Sequence, residues 1–114
     1  MNLAILANQL GVEGEEFFEI IEIFLETTES DLRKMQSALE KCDSKNAAAA
    51  AHSIKGAAGN LGLMEIYDVA AKMETELRES RFDHGMESIT TIQRQLDQTR
   101  DALRREVAVS DAKA

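Results

Sequence analysis

The sequence contains no proline, no tryptophan, one tyrosine and one cysteine, and it is short of positive charge. Each shortage excludes something. A lone thiol, Cys42, cannot close an internal disulfide, and Cys42, His52 and His84 are too few and too scattered to build a soft-ligand zinc site, so no metal is expected. Without proline, the commonest helix breaker is missing from the whole length. No apolar run approaches the ~18 residues of a membrane helix. The N-terminus lacks the basic stretch and apolar run of a cleavable leader. With 13 Lys and Arg against 21 Asp and Glu, the net charge is −8, which argues against binding a phosphate backbone. The expectation is a cytoplasmic protein in a reducing compartment, with neither nucleic acid nor membrane as partner.

What is present points to helices. The 114 residues suit a single domain around one core. Asn2 can cap a short first helix carrying Leu3, Leu6 and Leu10, closed by Gly11. From about Glu15 to Lys41, Phe17, Ile21, Phe24, Leu32, Met35 and Leu39 form one stripe, with Thr28 filling its gap. Phe18, Ile20, Ile23 and Leu25 widen that stripe and are expected to pack under the first helix. Asp43 or Ser44 can cap a third helix, which Gly62 stops near Leu61. A fourth carries Ile66, Val69, Ala70, Met73 and Leu77 and ends near Ser80. A fifth starts around Asp83 to Met86 and carries Ile89, Ile92, Leu96, Leu103 and Val107, with Thr99 in register. The resulting expectation is an all-α fold: an antiparallel up-down four-helix bundle with a short additional N-terminal helix. Its parts would be a capping helix over about 1–10, the bundle over about 15–107, and a frayed tail over 108–114. Glu26, Glu29 and Asp31 are expected on a solvated face, and His84 in a solvated turn.

The informative stretch is His52-Ser53-Ile54-Lys55-Gly56-Ala57-Ala58-Gly59-Asn60-Leu61-Gly62. With about 100° per residue and His52 at zero, Ala47, Ala50, Ala51, Ile54, Ala57, Ala58 and Leu61 cluster on the far side. That is the expected core face. Ala48, Ala49, Lys55, Gly56 and Gly59 fall with His52, which therefore faces solvent. A glycine inside a helix costs about 1 kcal/mol relative to alanine, so two on an exposed face need a reason. One is close approach of another macromolecule beside the histidine; the other is that the helix ends early and the glycines belong to a loop. Neutral imidazole is a nucleophile available near neutral pH, and Lys55, one turn on, can hold a phosphoryl oxygen. Phosphate-binding glycine loops, a metalloprotease motif and an aspartate pair for magnesium are all missing, so a partner must supply the rest of any reaction.

A turn near Gly62 and Leu63 sets His52 level with Glu74 on the next helix. Glu74 could accept a hydrogen bond from the imidazole Nδ1–H, leaving Nε2 free to attack. Arg78, four residues further on, could steady Glu74; the alternative is an ordinary solvated Glu–Arg pair.

The residues His52, Ile54, Lys55, Gly56, Ala57, Ala58, Leu61 and Gly62, at these spacings, resemble the signature of histidine-containing phosphotransfer domains of two-component phosphorelays, and the helical layout resembles that family over nearly the whole chain. The resemblance implies that His52 accepts a phosphoryl group from a receiver-domain aspartate and passes it to another. It implies that Lys55 contacts the phosphoryl group or the acidic receiver pocket, and that Gly56 lets the receiver dock closely, with Gly59 on the same contact face. The position of Glu74 commonly holds glutamine in such domains, and glutamate in the phosphoacceptor domains of chemotaxis kinases. Partners would be response-regulator receivers, a hybrid sensor histidine kinase, or a chemotaxis-type kinase acting directly. No cofactor is expected on this chain, with ATP on a kinase partner and Mg²⁺ on the receiver, and the chain would be a phosphocarrier and not an enzyme. Leu3, Ile5 or Leu6 would supply an apolar margin to the docking face, unless they form a lid against Phe18. A monomer is expected, and the start at Met1 without a linker favours a stand-alone protein. A helical adaptor or dimerisation module, with His52 incidental, is the reading from a different class.

Overall fold

Between Gly14 and Glu40 nothing in the chain breaks a helix, and a computed structural model of the protein, which describes residues 2–113 and side chains as far as Ala112, shows one continuous helix there. Five helices make up the described residues, with no strand among them: α1 (Leu3–Leu10), α2 (Gly14–Glu40), α3 (Ser44–Leu61), α4 (Met64–Arg78) and α5 (Gly85–Lys113). The capping signals sit where the sequence puts them. Asn2 accepts from the Ile5 amide at 3.2 Å, and Asp43 accepts from the Asn46 amide at 3.1 Å. Gly11 and Gly62 close α1 and α3 in the left-handed conformation, with φ of 69° and 72°, where a side chain would be strained. Cys42 and Ser80 adopt the same conformation after α2 and α4. There the backbone bonds Asp43 N–H to Ala38 C=O (2.8 Å) and Arg81 N–H to Glu76 C=O (2.9 Å) satisfy carbonyls of the last turns.

The helices pack in a ring: α3 against α2 and α4, and α5 against α2 and α4, with α1 laid on α2 and α5. The core they enclose includes Phe17, Ile21, Met35, Ile54, Ile66, Leu77, Ile92 and Leu96, all essentially without solvent exposure. Leu3 and Ala7 seal α1 onto it.

Four expectations are corrected. Ile23 is 64% exposed and so does not pack under α1, while Leu25 is buried and Phe18 and Ile20 are half-buried. Leu3 is fully buried, which removes it from any docking face. Ala48 is buried although the helical wheel places it with His52; α3 is flanked by both α2 and α4, which widens its buried arc. Residues 108–113, expected as a tail, continue α5, since no residue there breaks a helix. Ala114 lies outside the described residues. None of the described helices is long and apolar enough to cross a membrane.

Candidate functional site

His52 stands in the middle of α3 with 63% of its side chain exposed. Because α3 and α4 fold back on each other about Gly62 and Leu63, Glu74 of α4 lies at its height. His52 Nδ1 is 2.8 Å from Glu74 Oε2. Glu74 is buried, yet three donors converge on it. Besides His52, Lys55 Nζ donates to Oε1 at 2.6 Å and Arg78 Nη2 to Oε2 at 2.6 Å, with Arg78 Nε at 3.2 Å. Burial by itself would raise the carboxyl's pKa. The hydrogen bonds from Lys55, Arg78 and His52 outweigh that and hold it at about 2, against an ordinary 4.5.

The tautomer of His52 follows from this. A carboxylate ionised at neutral pH can only accept, so the proton of the neutral ring sits on Nδ1 and the Nε2 lone pair is free. The sequence expectation of a Glu74 bond, and of Arg78 steadying Glu74, matches these distances; the Glu–Arg pair is not merely solvated, because one partner is buried. Lys55 differs in detail. Rather than reaching outward, it is bound to Glu74 and only 26% exposed. With two cations and one carboxylate around a neutral imidazole, the cluster carries net positive charge in a chain of net −8.

The two glycines beside His52 divide in function. A Cβ at Gly56 would meet nothing within 4 Å, so that stretch of backbone is open to an approaching surface. A Cβ at Gly59 would lie 3.1 Å from Tyr67 Cδ2. Gly59 therefore lies against the Tyr67 ring of α4, which would have to shift by a few tenths of an ångström to admit a side chain, a contact that the wheel did not show. Both lie within α3, so neither belongs to a loop.

Sequence reasoning missed two pairs. Asp31, expected on a solvated face, is buried and accepts from Ser53 Oγ at 2.8 Å. His84 is in the turn before α5 and exposed, as expected, but its Nδ1 lies 2.8 Å from Oε2 of the buried Glu76. The signal for the first was available: Asp31 and Ser53 are equidistant from the α2–α3 turn, as His52 and Glu74 are from the next. Among the described residues no group of three or more His, Cys, Asp and Glu side chains is placed to hold a metal ion.

An all-helical chain that presents an exposed histidine on a bundle helix, anchored by a buried carboxylate and set among cations, falls in the class of phosphoryl carriers. The family described as the Hpt domain matches residues 19–104, and the chain belongs to that family. Its function is histidine phosphotransfer in a phosphorelay, where Hpt domains interact with receiver domains and kinases. The fold is similar to that of the histidine-containing phosphotransfer protein B (HptB) from Pseudomonas aeruginosa PAO1, with a TM-score of 0.80, 23% identity and 90% of each chain covered. No curated protein matches the chain.

Proposed function

We propose that His52 is the phosphoacceptor. Its Nε2 attacks the phosphorus of a receiver aspartyl phosphate, the P–N bond forms, the P–O bond breaks, and the aspartate carboxylate leaves with the electron pair. Transfer to a second receiver is the reverse. The observation that carries this reading is the 2.8 Å bond from an exposed imidazole to a buried, ionised carboxylate. Glu74 fixes the ring and meets the positive charge the ring gains on phosphorylation. Lys55 turns from Glu74 Oε1 to a phosphoryl oxygen, and Arg78 keeps Glu74 charge-compensated when it does so. Gly56 gives the receiver access to the helix backbone, and Ile5, 56% exposed, with half-buried Leu6, adds an apolar margin. Phosphoryl transfer consists mainly of positioning and charge stabilisation, so a carrier needs little more than this.

In this reading the chain is a phosphocarrier, and ATP and Mg²⁺ belong to its partners. The ring of neighbours α2–α3–α4–α5, joined by short turns, supports an antiparallel up-down bundle capped by α1. Among the described residues the exposed large apolar side chains Ile5, Ile23, Met64, Met86 and Val109 are spread over four helices, which supports a monomer. The test is incubation with a phosphorylated receiver: wild type should gain acid-labile, alkali-stable phosphate and His52→Gln should gain none. Equal labelling of both would overturn the assignment. A second reading, direct phosphorylation by a chemotaxis-type kinase, is favoured by the carboxylate at 74, and predicts labelling by a kinase catalytic domain with ATP and no receiver present.

A further inference from the structure

The His84–Glu76 pair repeats the geometry of His52–Glu74 on another face of the molecule. In each, an imidazole Nδ1 lies 2.8 Å from a glutamate Oε2; the histidines are 58% and 63% exposed and the glutamates 12% and 8%. Both carboxylates come from α4, two residues apart and so about 200° apart around it, which directs the two rings to different sides. The hydrogen bond from His84, opposed by burial and helped by the charges of His84, Lys72 and Arg81, holds the Glu76 carboxyl below the usual range. As an ionised acceptor it leaves the proton of the neutral ring on His84 Nδ1 and the lone pair on Nε2.

Two features favour an anion at that nitrogen, against the carboxylates of Glu79, Asp83 and Glu87 close by in the chain. His84 C=O accepts from Ser88 N–H at 2.9 Å, so His84 stands at the start of α5, where the free N–H groups of a 29-residue helix favour negative charge. The turn is held in place from below, because Gly85 is buried and a Cβ there would come within 2.9 Å of Leu39 Cδ1 on α2. The guanidinium of Arg81 is paired with Glu79 at 2.7 Å, both more than half exposed. A surface pair of that kind is worth little and can be exchanged for a phosphoryl oxygen.

We propose that His84 is a second phosphoacceptor, taking a phosphoryl group onto Nε2 from a small phosphoramidate or acyl phosphate. The Nε2 lone pair forms the P–N bond. The bond from phosphorus to the acyl oxygen, or to the nitrogen of the N-protonated phosphoramidate, breaks, and carboxylate or ammonia leaves with the electron pair. No proton has to move on the protein, since Nδ1–H stays on Glu76, which meets the charge the ring acquires.

The test uses the full chain carrying His52→Gln, so that its outcome is independent of the role of His52. Phosphoramidate and acetyl phosphate are supplied separately, and intact mass is followed at neutral pH. The expected result is one acid-labile phosphoryl group on the single variant with at least one donor, and none on His52→Gln/His84→Gln. Which donor labels identifies the source. Glu76→Gln in the same background should slow labelling about tenfold, the usual cost of losing a partner that orients a reactive group. Unfolding the His52→Gln chain in urea should slow it similarly, a comparison that needs no further variant. No labelling by either donor, or labelling as fast in the unfolded chain as in the folded one, would overturn the proposal.

Discussion

Ser53 Oγ donates to the buried carboxylate of Asp31 across 2.8 Å, one residue after His52 and from the opposite flank of α3 to Glu74. The turn of α3 that carries the histidine is thus tied on one side to α2 and on the other to α4. Rotation of α3 about its axis would break both ties, so the direction in which His52 projects is fixed twice. Ser53→Ala removes the donor and leaves Asp31 buried without this partner, which should cost ~1–3 kcal/mol in urea unfolding. Asp31→Asn keeps a polar partner for Ser53 and should cost less. If Ser53→Ala is as stable as wild type, the tie to α2 does not hold the helix.

Gly56 and Gly59 should separate cleanly on substitution. Alanine at 56 meets open space and should gain about 1 kcal/mol from helix propensity. Alanine at 59 brings a Cβ to 3.1 Å from Tyr67 and must push the half-buried ring aside, so it should gain less or lose stability. Gly56→Gln should leave helicity intact while slowing phosphotransfer, because the added side chain occupies the approach to His52. Denaturation midpoints and a transfer time course on the same variants check both halves. Equal gains for alanine at 56 and 59 would mean that Tyr67 yields freely.

The features legible in the sequence were those set by local chemistry or by simple helical arithmetic. Asn2, Asp43, Gly11 and Gly62 announce helix ends because their side chains, or the lack of one, fit only those positions. The His52–Glu74 pairing could be counted off a short turn. What could not be read depended on how wide each buried arc is. Ala48 and Asp31 are covered because α3 and α2 each pack against more than one neighbour, and a wheel drawn for one helix does not know how many neighbours it has. Lys55 was legible as a cation on the right face, but its bond to Glu74 follows from Glu74 being buried within its reach. Glu76 and His84 were hidden because the turn after Arg78 curls back through a left-handed Ser80, which charge patterning does not reveal.

Thr28 keeps the helical register of the α2 stripe at a cost. It is fully buried, and its hydroxyl has no hydrogen-bond partner among the described residues. Thr99, equally buried on α5, does find one, donating to the Gln95 carbonyl at 2.8 Å. Valine at 28 has nearly the same shape without the stranded polar atom, and should stabilise the fold by ~1 kcal/mol. Valine at 99 gives up a satisfied bond and should gain less or lose stability. Paired urea unfolding of the two variants decides it; a loss at 28 would show that its hydroxyl is satisfied in solution.

Glu74 makes stability depend on acid in a defined window. Its carboxyl holds a proton less tightly in the folded chain, at about 2, than at the ordinary 4.5 of an unfolded one. Above pH 4.5 it is ionised in both states and its contribution is complete. As pH falls from there toward 2, the unfolded chain takes up the proton first, and the contribution is progressively lost. Glu74→Gln cannot titrate, so its stability should fall less steeply than that of wild type across this range. It should also be the less stable of the two at neutral pH, because Lys55 and Arg78 lose their countercharge. Stability measured by denaturant unfolding at a series of pH values separates the two effects, and parallel curves for the two proteins would show that Glu74 contributes no acid dependence.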